Sequence, residues 1–143
     1  MKKLLMPAII AAALISPIAP AAAGSTDNVV ITLTSAEQQT RGMAMVLANA
    51  MQAKGAHVSV LLCDSAGDMA LKEHQSTPLK PKNVTPEQLL QKLMSGGARV
   101  DVCALYLPNK GVGMEALKEG VGSAKPATMA EALMAEGTRV FNF

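Results

Sequence analysis

The chain has 143 residues, 50% of them hydrophobic, 17% charged and 2% aromatic, with a formal charge of +2. That length holds one domain at most, and so apolar a composition offsets ordering entropy by burial, which excludes a disordered protein. The absence of Trp, the small charge and the two cysteines exclude aromatic nucleic-acid modules, a basic nucleic-acid surface, a disulfide scaffold and a four-thiolate zinc site.

Residues 1–23 read MKKLLMPAIIAAALISPIAPAAA. Lys2 and Lys3 form a positive start, residues 4–15 an apolar run of signal-peptide length, and Ala21-Ala22-Ala23 a small-residue cleavage site. Pro17 and Pro20 break any helix before that site, and the apolar run is short for a membrane span and interrupted by proline, so a cleaved signal peptide is expected rather than an anchor. Cleavage takes two lysines and no acid, so the remaining domain, 24–143, carries no net charge. The expected compartment is the periplasm. It is oxidising, so two exported thiols call for an explanation.

Residues 28–34, NVVITLT, are β-branched and apolar on both faces, as in a buried parallel strand. Residues 37–54 carry Met43, Val46, Leu47, Ala50 and Met51 at helical spacing, with Ser35 as N-cap and Gly55 just past the end. A second strand is expected at 57–63, then a short helix or helical turn at 64–74 and a polar excursion at 75–86. Thr85-Pro86-Glu87-Gln88 is a capping box with proline at the first helical position, and the helix it starts runs to Met94 before Gly96-Gly97. The run RVDVCALYL at 99–107 reads as a third strand, 108–113 as a loop, and 114–118 as a short helix. A further helix is expected at 126–136 and a closing strand at 138–143.

Strands alternating with helices imply an α/β fold. The expected architecture is a three-layer α/β/α sandwich with a mostly parallel, doubly wound sheet of about five strands. Chemistry in such sheets gathers at the carboxyl ends of the strands. Here those ends are Thr34-Ser35, Cys63-Asp64, the stretch from Cys103 to Asn109, and the chain end. No glycine-rich nucleotide loop, G-x-S-x-G elbow or C-x-x-C pair is present, so no cofactor is expected. His57 and His74 read as surface or edge residues, and no metal site is expected from them.

Cys103 lies at or near the carboxyl end of the third expected strand, facing the loop mouth. Lys110 and the start of the helix near Met114 are placed to favour its thiolate. A free cysteine in an apolar strand is equally a core residue, so on the residues alone both roles stand. Cys63 is followed by Asp64 and then Asp68, whose carboxylates disfavour a thiolate. Cys103 is therefore expected to be the more reactive thiol. In the strand order common to such sheets the second and third strands flank the first. That order sets the two cysteines about 10 Å apart, beyond disulfide reach.

The segments NVVITLTS, RGMAMVLANAMQAKGAHVSVLL, TPEQLLQKLMSGGARVDVCALYL and PATMAEALMAEGTRVFNF, from Asn28 to Phe143, resemble the DsrE/DsrF-like family, which includes the YchN-like proteins. The resemblance implies a three-layer α/β fold and a homotrimer or homohexamer. It also implies sulfur relay through a persulfide on the cysteine of the third strand, a position that Cys103 matches, with a protein as sulfur donor or acceptor. Two other readings compete. One is a Cu(I) module built from Cys63, Cys103 and methionines such as Met43 and Met45, since soft ligands select Cu(I). Met43 and Met45 fall on different helix faces, however, so the methionines read mostly as core. The other is a non-catalytic interaction protein with unreactive thiols.

Overall fold

The computed structural model describes residues 27–143; the expected signal peptide at 1–23 lies outside the described residues. Strand β1, Asn28–Leu33, is apolar on both faces and occupies an interior position in the sheet. Helix α1, Gln38–Ala53, follows it. Ser35 does not cap α1 in the expected way. Glu37 is the N-cap residue, and the Ser35 hydroxyl accepts the Glu37 N–H at 3.0 Å, one residue outside the helix. Gly55, at φ +94°, takes the left-handed turn that ends α1, as expected.

Strand β2, His57–Leu62, leads into a 3-10 helix at Asp64–Ala70. Helix α2, Pro86–Ser95, carries the expected capping box: the Gln88 N–H donates to Thr85 Oγ1, and the Thr85 N–H to Gln88 Oε1. Helices α1 and α2 pack on one face of the sheet. They are joined by the Asn49 and Gln52 side-chain amides, which donate to the carbonyls of Leu89 and Leu93. Beneath them lies the core of Ile31, Leu33, Met45, Val60, Leu62, Leu90, Leu93, Val100 and Val102.

Strand β3 is shorter than expected, Arg99–Val102 rather than 99–107. The chain turns at Cys103, whose carbonyl accepts the Tyr106 N–H at 2.9 Å, and helix α3 runs from Tyr106 to Lys110. Tyr106 and Leu107 bury themselves from this helix. Short apolar runs such as ALYL do not distinguish strand from helix by periodicity. The expected helix at 114–118 is a single 3-10 turn, Met114–Ala116. Strand β4, Val121–Ser123, had no counterpart in the sequence reading. Helix α4, Pro126–Met134, and strand β5, Thr138–Asn142, close the chain.

The sheet has five strands in the order β4-β3-β2-β1-β5, and every pair is parallel. The α/β architecture is as expected, but the strand order corrects the expectation about the cysteines. The third strand pairs with the second, not with the first, because the crossovers from β1 to β4 all step in one direction and only β5 returns to the far side of β1. Leu62 is the register partner of Val102. The cysteines that follow these residues are therefore neighbours across one strand spacing, about 4.8 Å, rather than two.

Candidate active site at the carboxyl ends of β2 and β3

Cys63 and Cys103 are both half-buried free thiols. Their amides extend the sheet by one residue each. The Cys63 N–H donates to the Leu33 carbonyl at 2.9 Å, and the Cys103 N–H donates to the Leu62 carbonyl at 2.8 Å. After Cys63 the backbone turns sharply through Asp64, at φ +49°, a conformation that aspartate tolerates better than most residues. The 3-10 helix from Asp64 and helix α3 thus leave the sheet side by side. Between them opens a cavity of about 500 Å³, lined by Cys103, Asp64, Ser65, Asp68, Leu105, Tyr106, Asn109 and Lys110.

One wall of the cavity is a polar chain. The Tyr106 hydroxyl donates to Asp68 Oδ1 at 2.6 Å, and Lys110 Nζ lies 2.7 Å from the same oxygen. Burial alone would raise the Asp68 carboxyl. The Lys110 and Tyr106 donors outweigh it and hold the group below its ordinary value. Burial, and after it donation to the Asp68 carboxylate, push the Tyr106 phenol up, so it stays protonated. Tyr106 lies directly over Gly67: a Cβ there would come within 2.4 Å of the ring. Buried Arg41 ties the loops after β1 and β2 together, its Nε donating to the Ser35 carbonyl at 2.7 Å and its Nη2 to the Ser65 carbonyl at 2.6 Å.

The Cys63 thiol is pushed up to about 12. Burial is the main cause, the neighbouring Cys103 thiol the next, and the Asp64 carboxylate a smaller one. The expected influence of Asp64 is therefore present, while Asp68 is engaged elsewhere. Lys110, expected to favour the Cys103 thiolate, is instead paired with Asp68. The helix expected near Met114 to face the thiol is only a 3-10 turn, and α3 is the element that follows Cys103.

The sequence placed Cys103 near a strand end and offered Asp68 only as a carboxylate beside Cys63; the Asp68–Tyr106–Lys110 chain, Ser65 and Arg41 had no signal in it. Asp68 and Tyr106 are 38 residues apart, so only the fold unites them. His57 is exposed at the start of β2. His74 Nε2 lies 3.4 Å from Glu87 Oε1 and does not line the cavity. Met45 is core, whereas Met43 is exposed and lines a separate groove between α1 and the 78–84 segment, so the two methionines do not converge on one site. Among the described residues, no three or more His, Cys, Asp or Glu side chains group so as to hold a metal ion. No helix among them is long and apolar enough to cross a membrane.

Comparison with protein-family models and with curated protein sequences gives no match. Solved structures do match. The YchN protein of E. coli superposes with a TM-score of 0.67 at 17% identity, over 82% of this chain and 99% of that one. MTH1491 of Methanobacterium thermoautotrophicum, a protein of unknown function, superposes with a TM-score of 0.64 at 14% identity, over 82% and 99%. The chain therefore has the fold of the YchN-like proteins, and the family resemblance read from the sequence is borne out as a shared fold.

Proposed function

We infer that the protein is a DsrE-like sulfur carrier that holds a sulfane sulfur as a persulfide on Cys103. The observation that carries this reading is the position of Cys103. It lines a cavity of about 500 Å³ at the carboxyl ends of the strands, while the thiol beside it keeps its proton. The cavity leaves room for one more sulfur, and the half-buried setting limits water.

The chemistry needs only thiols. The Cys103 thiolate attacks the outer sulfur of a donor persulfide, R–S–SH. An S–S bond forms to Cys103, the donor S–S bond breaks, and R–S⁻ departs. An acceptor thiolate then attacks the outer sulfur of Cys103–S–SH, takes it, and returns Cys103 as thiolate. Donor and acceptor are proteins or small thiols that reach the cavity mouth. The chain works in the periplasm as a homo-oligomer after loss of residues 1–23.

The test is the intact mass of protein isolated from its native compartment without reductant. A mature chain beginning near Gly24, one sulfur heavier and restored by reductant, is expected. Cys103→Ser should never carry the extra sulfur. The reading fails if the wild-type protein takes up no sulfur from polysulfide. Metal co-purifying in proportion to the two thiols would favour the Cu(I) reading instead. Inert thiols would favour the non-catalytic one.

A further inference from the structure

The carrier chemistry uses one cysteine, and the fold delivers two. Cys63 is the register neighbour of Cys103, one residue beyond the Leu62–Val102 pair on adjacent parallel strands. One strand spacing is about 4.8 Å, inside the Cα range of roughly 4.4–6.8 Å that a disulfide bridges. Both backbones are pinned there, Cys63 by its bond to Leu33 and Cys103 by its bond to Leu62. Cys103 is close enough that it helps to raise the Cys63 thiol.

We propose that Cys63 is a resolving cysteine: it attacks the inner sulfur of the Cys103 persulfide, closes a Cys63–Cys103 disulfide and releases hydrosulfide. This rests on the persulfide reading above and adds a second outcome for the bound sulfur. The step balances without a co-reactant. Written for the ionised persulfide, Cys103–S–S⁻ and Cys63–SH give Cys103–S–S–Cys63 and HS⁻. The new bond joins the two cysteine sulfurs, and the bond to the outer sulfur breaks. The ionised outer sulfur first takes the proton of Cys63; the Cys63 thiolate so formed attacks the inner sulfur, and the electron pair of the broken S–S bond leaves with the protonated sulfur as HS⁻. The two cysteines are oxidised, and the bound sulfur is reduced to sulfide. A thiol reductant then reopens the disulfide for the next cycle.

Because Cys63 holds its proton at neutral pH, it brings to the step the proton that the departing sulfur needs. The same protonation makes it a poor competitor for the donor, so sulfur loads on Cys103 first. A waiting acceptor thiolate takes the outer sulfur intact. Without one, the internal route discharges it as sulfide. The protein is on this account both a carrier and a self-discharging persulfide reductase.

The experiment loads the reduced full chain with inorganic polysulfide under anaerobic conditions, removes the excess, and follows intact mass and released sulfide over time. The wild-type protein is expected to pass from one sulfur heavier to two hydrogens lighter. One sulfide per chain should appear, with a cross-linked peptide joining Cys63 and Cys103. Cys63→Ser should keep its sulfur and release none until reductant is added. Cys63→Ala serves as the second variant should the serine variant fail to fold. If the wild type keeps its sulfur as long as Cys63→Ser does, the proposal is overturned while the carrier reading stands. If neither takes up sulfur, the carrier reading fails and takes the proposal with it. If Cys103→Ser loads sulfur on Cys63, the assigned roles are wrong.

Discussion

Cys63 and Cys103 lie side by side at the ends of two hydrogen-bonded parallel strands, although forty positions separate them along the chain. Their surroundings differ. Cys63 is pushed up to about 12, chiefly by burial and then by its neighbour. At neutral pH an alkylating reagent should therefore label Cys103 first in the wild-type protein. In Cys103→Ser the contribution of the neighbouring thiol vanishes and burial remains, so Cys63 should react more readily than in the wild type, yet still slowly. Peptide mapping after timed alkylation across pH 7 to 10 checks this; equal labelling of both thiols at neutral pH would refute it.

The same shift has a consequence for stability. A thiol whose folded value is raised stabilises the fold below its unfolded value, about 8.5, and loses that contribution as pH climbs towards 12. The wild-type chain should lose stability through this alkaline window, and Cys63→Ala should show a flatter profile there. Urea midpoints at pH 8 and pH 10.5 for both proteins supply the comparison, and parallel profiles would count against the assignment.

Asp68 acts in the opposite direction. Its folded value is depressed, so its contribution is present above the ordinary carboxylate range and lost as pH falls through the folded value. Asp68→Asn removes the charged acceptor of Tyr106 and Lys110. The cost should be about 1 kcal/mol, below the roughly 1.5–3 kcal/mol typical of hydrogen bonds to charged groups, because Lys110 is partly in solvent. Chemical denaturation at pH 7 and pH 3 checks it. The gap between wild type and variant should be open at pH 7 and narrow at pH 3.

Gly67 has no room for a side chain, since its Cβ would meet the Tyr106 ring at 2.4 Å. Gly67→Ala should displace Tyr106 and cost roughly 1–3 kcal/mol, the range for overpacking a well-filled site. It should also change the rate at which Cys103 is alkylated, because Tyr106 lines the same cavity. An alanine variant with unchanged urea midpoint and unchanged alkylation would show that the ring moves freely.

How far the site was legible in the sequence depends on the range of the interaction. The β-branched runs of β1 and β2 and the Thr85–Gln88 box are local signals, and each appears where the residues placed it. The stretch after Cys103 misleads because ALYL suits a strand as well as a helix until Tyr106 finds Asp68. Strand β4 is three residues around Gly122, too short to leave a pattern. The pairing of the cysteines follows from the direction of the crossovers, which no local residue encodes.

The last prediction concerns the far edge of the sheet. Helix α4 has no buried residue, and β5 is an edge strand whose residues from Arg139 to Asn142 are all exposed. Met134 is 85% exposed, and Val140 and Phe141 about 40%. An apolar edge strand left bare is a liability that proteins cover. A second copy of the chain is the occupant expected from the family resemblance. Light scattering at micromolar concentration should therefore give a homo-oligomer. Val140→Lys or Met134→Lys should shift it towards monomer, because a buried unpaired lysine is costly in an apolar interface. The same charge at exposed Gln91 of α2, outside this edge, should leave the assembly intact. A wild-type monomer would refute the prediction outright. An oligomer untouched by either edge substitution would place the interface elsewhere on the surface.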